Sequence, residues 1–264
     1  MRAAFLCTAL VVCGLDGAAP AQDMMRHIDL TSPDMVAAEM TRADVEARLA
    51  GTTAENPADF TARKLSGLDL SGLDFSGAVF RAARLNKTNL DGARLDRAIL
   101  DQAWLIEADL SRASLQGAAL FAAQMQRARL DGADLSGARI TADLTNASLV
   151  GASLTGARLG ADMKNQSMGL MRAVLKSANL QSANLRDADL SRTDLEFASL
   201  KDADLTGASL VGASLGGADL TGARLAGADF LGADLVSAKL VAPIGLESAR
   251  NLDKAINLQR YLRQ

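Results

Sequence analysis

Aromatic residues are scarce in this 264-residue sequence, with seven Phe, one Trp and one Tyr making up 3% of a chain that is 49% hydrophobic. An interior anchored on large rings is therefore excluded, and any core has to be aliphatic. Cysteine is limited to Cys7 and Cys13, both inside a leader-like stretch. Cleavage of that leader leaves no thiol, which removes disulfides, thiolate nucleophiles and cysteine metal sites. The single histidine, His27, has no second His and no HExxH-like motif around it, whereas a zinc site needs three or more such ligands; we read it as solvated. No P-loop or Rossmann glycine pattern occurs, and the serines have no histidine positioned for a triad. The formal net charge is only −3, so nucleic acid is offered no basic footprint. The sequence gives no grounds for a cofactor, a metal or an enzymatic activity.

The ends differ from the middle. Met1 and Arg2 precede an apolar run from Ala3 to Val12, and small residues lead to Ala19-Pro20-Ala21. This reads as a secretory signal peptide, residues 1–21, with cleavage before Gln22. The run is too short to span a bilayer, and no other transmembrane candidate follows. Leu10-Val11-Val12-Cys13 loosely resembles a lipobox, although Val12 stands where a small residue is usual. The expected location is extracytoplasmic, periplasmic or secreted. Residues 22–57 form an N-terminal segment in which Ser32-Pro33 and Thr41 open a helix from Asp34 to about Ala50, stopped by Gly51. Residues 243–264 form a tail whose Leu252, Ile256, Leu258 and Leu262 suit a short helical cap.

Between Pro57 and Pro243 there is no proline, and a five-residue period takes over. Large apolar residues fall at Phe60, Leu65, Leu70, Phe75, Phe80 and every fifth position to Ile140, continue one residue early from Leu144 to Leu159, and return to phase from Leu175 to Leu240. Ala usually stands two residues before each centre, as at Ala93, Ala98, Ala103 and Ala108, with a polar residue such as Asp109 or Asn179 between. An α-helix would rotate successive centres by about 140° net and scatter them round the cylinder. A continuous strand would send alternate centres to opposite faces. Both conflicts vanish if Ala and the centre point inward along a short extended side and the next two residues turn a corner. Four such sides close a coil of about 20 residues, and coils stacked about 4.8 Å apart give residues 58–242 about nine layers.

The unit A(D/N/S/R)LXX closely resembles the pentapeptide-repeat family over about two-thirds of the chain. The resemblance implies an all-β solenoid, a right-handed quadrilateral β-helix, and no single function, because one fold hosts many roles. One role in the family is mimicry of duplex DNA in the regulation of a type II topoisomerase. That needs a densely negative tower, whereas residues 58–242 carry 21 acidic and 20 basic side chains.

Two places break the pattern. The stretch from Gly160 to Arg172 contains Met163, Met168 and Met171 and lacks the motif. It is either a protruding apolar contact or a bulged coil with Met inside the shaft. On the outside, Val79, Ile99 and Ala119 occupy one column of normally polar positions, with Phe121, Trp104 and Ile106 nearby. An apolar patch there is either covered by the chain's own N-terminal helix or open to a partner protein or a second copy. The functional expectation is an exported, non-enzymatic scaffold for protein–protein interaction, with DNA mimicry as the alternative.

Overall fold

A computed structural model of the protein describes residue 29 and residues 31–53, 55–161 and 172–258. The expected leader (residues 1–21), His27 and the methionines Met163, Met168 and Met171 lie outside the described residues.

Each pentad makes its own corner. The amide of the inward Ala donates back to the preceding centre, as from Ala93 N to Leu90 O (3.0 Å) and Ala98 N to Leu95 O (3.0 Å). The result is a β-turn whose third residue has to take positive φ, which costs glycine nothing. Gly92 sits there at φ 62°, but Arg97 occupies the equivalent position at φ 57°. Coil closure over-determines the corner strongly enough to hold a side-chain residue in it.

The side between corners is one extended step, and its hydrogen bonds run to neighbouring coils. Leu110 N donates to Arg129 O (2.7 Å), and Arg129 N donates to Ala108 O (2.9 Å). Repeated along the chain, these bonds form four parallel ladders between residues 20 apart. Face 1 carries Asp59, Val79, Ile99 and Ala119; face 2, Lys64, Arg84, Trp104 and Gln124; face 3, Asp69, Asn89, Asp109 and Arg129; face 4, Asp74, Arg94, Ser114 and Asp134. Face 1 continues through Arg139, Arg158, Asp189, Ser209 and Asp229 to Arg250, a stack on the order of 43 Å tall at about 4.8 Å per layer. Pairing is kept between the described residues on either side of the interruption. Asp143 pairs with Val174 and Arg158 with Asp189, after which Val174 pairs with Asp194 and the spacing of 20 returns.

Inside, the Ala and centre side chains form one dry shaft. The centres from Phe60 to Leu235 are fully buried, and the Ala residues two before them almost fully. Each buried Leu contributes about 1.5–3 kcal/mol relative to exposure.

The N-terminal segment differs from the single helix expected. It forms α1 (Pro33–Val36) and α2 (Arg42–Ala50), separated by an extended stretch in which Ala38 pairs antiparallel with Leu65. The break arises because Thr41 starts a new helix through a capping box with Asp44. Gly51 follows α2 at φ −96°, so it does not act as a left-handed cap. Together these pieces close the lower edge of the first coil, where carbonyls have no coil beneath them. Glu39 N donates to Lys64 O, Arg48 to Asp59 O, and Arg42 to Asp69 O and Ser71 O. An open edge is a template for unwanted strand pairing, and these donors blunt it. Val45 of α2 is fully buried against the end of the shaft.

The helical cap expected at the C-terminal end does not form over the described residues. Leu246–Ser248 and Leu252–Lys254 are single 3-10 turns, and the ladders continue upward through Ile244, Arg250 and Ile256. The sides here are six residues long. Gly245, Asn251 and Asn257 are the inserted left-handed residues, at φ 74°, 52° and 65°. Asn251 and Asn257 donate to Asp229 and Asp234 below (2.8 Å each), which fixes the wider corners to the regular stack. Among the described residues no helix is long and apolar enough to cross a membrane.

Candidate interaction surface

The outward residue before each centre anchors the following corner. Asp69, Asp109, Asp134, Asp219 and Asp234 each accept, through Oδ1, a hydrogen bond from the amide two residues on, and Asn89, Asn179 and Asn184 do the same. This local bond explains the recurrence of Asp and Asn without any catalytic role. Among the described residues no group of three or more His, Cys, Asp or Glu is arranged to hold a metal ion.

The same bonds perturb the acids. The Ser71 hydroxyl and then its amide hold Asp69 below the ordinary carboxylate value, and Ser76 does likewise for Asp74. Because the folded values are depressed, the contribution to stability is present above the unfolded value of about 3.9 and is lost as pH falls through the folded values. Thermal melts are expected to stay level from about pH 7 to 5 and to fall below about pH 4. A melting temperature that rose on acidification would contradict this assignment.

Charges are interleaved up the tower. Arg94 pairs with Asp74, Arg112 with Asp91, Arg127 with Glu107, Lys176 with Glu196 and Arg186 with Asp204. These pairs are largely exposed and each contributes little stability. Their consequence is electrostatic, since each of these acids has a base one coil away.

Val79 and Ile99 are paired neighbours on face 1, as their spacing requires, and both are half-buried. Phe121 lies at the corner between faces 1 and 2, and Trp104 on face 2 between Arg84 and Gln124; both are half-buried. Ile106, at the corner between faces 2 and 3, is separated from this group and only 5% exposed. Met35 and Val36 of α1 line the same cleft as Ile106, so at this residue the chain covers itself.

The most exposed apolar side chains lie elsewhere. Apart from Val36 of α1, they are Phe197, 61% exposed, and Leu231, Val236, Val241, Ile244 and Ile256, all toward the C-terminal end. Phe197 stands at the left-handed corner position, φ 58°, between faces 2 and 3. A β-carbon on Gly217, one coil above, would come within 2.6 Å of the ring, so the ring lies over bare backbone. Val236 overhangs Gly216 beside it, and the Lys176 ammonium lies 5.8 Å from the ring centroid. The available sequence signal was a Phe in a corner column otherwise held by Gly67, Lys87, Glu107, Arg127, Asn146, Ser177, Gly217 and Ser237.

A family model described as pentapeptide repeats matches residues 64–102, 74–112, 98–137, 123–161, 170–207 and 203–241. The chain belongs to the pentapeptide-repeat family. It is accordingly a right-handed β-helix solenoid, which agrees with the parallel ladders. Among solved pentapeptide-repeat structures, HetL of the cyanobacterium Nostoc, described as involved in heterocyst differentiation regulation, is 31% identical. That match covers 82% of this chain and 97% of HetL, with a TM-score of 0.43. Rfr23 of the cyanobacterium Cyanothece is 30% identical over 43% of this chain and 63% of its own, with a TM-score of 0.29. QnrB1, a plasmid-mediated fluoroquinolone resistance protein, is 19% identical over 72% of this chain and 92% of its own, with a TM-score of 0.38. No curated protein matches the chain.

Proposed function

We propose that this pentapeptide-repeat protein is an exported, non-enzymatic scaffold, a quadrilateral tower whose rigid faces bind another protein. The observation that carries the proposal is the exposed Phe197, seated over Gly217, with Val236 over the adjoining Gly216. An exposed aromatic beside small residues is the kind of anchor on which protein partners concentrate binding energy. The half-buried group Val79, Ile99, Trp104 and Phe121 is a second, weaker surface. Export rests on the leader-like residues 1–21. DNA mimicry gains no support from a tower with 21 acidic and 20 basic side chains over residues 58–242, and a supercoiling assay with a type II topoisomerase is expected to show no effect.

A photo-crosslinking amino acid at position 197, compared with one at Arg112 on a different corner, tests the reading in intact cells. A specific adduct at 197, lost in a chain that also carries Val236→Ser, is expected. Equal labelling at both positions would overturn the surface. Recovery of the chain in the cytoplasm with its leader attached would overturn export.

A further inference from the structure

The corner between faces 2 and 3 has a second feature, low on the tower, that the scaffold reading does not use. Where α1 lies against it, a cleft of about 200 Å³ is lined by Thr31, Met35, Val36, Asn86, Ile106 and the charged column Lys87, Glu107 and Arg127, with Gly67 at its base. The interior is apolar: Met35 and Ile106 are both 5% exposed, and Val36 forms the lip. Asn86 pins the walls together. Its Nδ2 donates to Met35 O (3.2 Å) and its Oδ1 accepts from Ile106 N (3.0 Å), so the cleft is held by bonds that a ligand need not break.

The mouth is electrostatically one-sided. Lys87, Glu107 and Arg127 stack on successive coils, with Glu107 ion-paired to Arg127 (2.7 Å) and to Lys87 (3.7 Å). Two cations thus share one carboxylate, so the residues that line the cleft carry one net positive charge. Asp29 does not line the cleft, but it accepts from the amide and hydroxyl of the lining Thr31 and keeps its negative charge outside the rim. The volume equals about seven waters at ~30 Å³ each, well below that of a drug-sized site. An aliphatic chain of roughly six to eight carbons has comparable bulk.

We propose that this cleft binds a medium-chain aliphatic carboxylate, with the tail against Met35, Val36 and Ile106 and the carboxylate on Lys87 and Arg127. The ligand supplies the second anion that the column lacks, and its tail covers Val36, which is 46% exposed at the lip. Binding is non-covalent.

The test is titration of the full chain with octanoate, octanol and octylamine, followed by calorimetry and by methyl resonances of Ile106 and Met35. Octanoate is expected to saturate, to shift both methyls and to bind at least tenfold more tightly than octanol, while octylamine fails to saturate. Ile106→Trp fills the cleft and is expected to abolish saturation. Lys87→Gln with Arg127→Gln, at two exposed positions, is expected to reduce octanoate to the affinity of octanol, and this arm stands even if the Trp variant folds poorly. Absence of saturable octanoate binding to the parent chain would overturn the proposal. So would equal binding of all three probes, or octanoate binding undiminished in the double variant.

Discussion

Replacing Leu110 by Asp is expected to prevent the tower from folding as one unit. Leu110 is fully buried, and its amide is committed to Arg129 O in the coil above. Its layer neighbours Leu90 and Leu130 are equally buried, as are Leu105 and Leu115 on adjacent sides. The substitution removes about 1.5–3 kcal/mol of apolar burial. It also places an acid among aliphatic side chains, where the inward Thr88 hydroxyl one coil below is already committed to Leu65 O. Burial would drive the carboxyl to its neutral form, and even then a polar group without a partner costs several kcal/mol. The sum exceeds the roughly 4–5 kcal/mol beyond which single substitutions become exceptional. Because each coil touches only its neighbours, a break in the middle uncouples the two halves of the stack. Circular dichroism melts should show a collapse or a split transition for Leu110→Asp. Leu110→Ala, at about 2–5 kcal/mol, should melt as a single weakened unit. A parent-like melt for Leu110→Asp would place the centre residues outside the shaft.

The regular tower was legible because its unit is local: five residues contain the inward pair, the polar anchor and the corner. Asp69 and Asn89 bond an amide only two residues away, so the sequence carries the whole interaction. The ends were less legible because their partners are distant. The extended stretch at Ala38 pairs with Leu65, and Arg42 reaches Asp69 O and Ser71 O, carbonyls that become a row only once the first coil has closed. At the other end, Leu252 and Ile256 have helical spacing by coincidence. The deciding residues are Asn251 and Asn257, six apart and six beyond Gly245, each tolerant of the left-handed backbone that widens a corner. The outward apolar column at Val79 and Ile99 was placed in its true register, but exposure depends on what packs over it. Sequence spacing gave no measure of how α1 shields Ile106, or of how Gly217 leaves Phe197 uncovered.

The aromatic exception in the shaft leads to the last expected result. Phe60, Phe75 and Phe80 occupy the lowest layers, with ring centroids 5.0 to 6.0 Å apart, and Phe60 is stacked on Phe80. Above them, apart from Phe230, the fully buried centres are aliphatic. The rings fill the end on which α2 sits, where Val45 is fully buried and the Arg48 guanidinium lies 5.5 Å from the Phe60 centroid. Phe80→Ala should cost about 3–5 kcal/mol through the cavity and the lost burial, with about 0.5–1.5 kcal/mol more from each broken ring pair. Unlike the Leu110 change, the damage falls at an end, and a stack held by nearest-neighbour contacts should fray from there. Hydrogen exchange is expected to show lost protection at the Phe60, Leu65 and Leu85 amides and in α2, with protection from Leu200 to Leu235 retained. Uniform loss along the whole tower would mean that coupling extends well beyond adjacent coils, and that the ends and the middle unfold as a single cooperative unit.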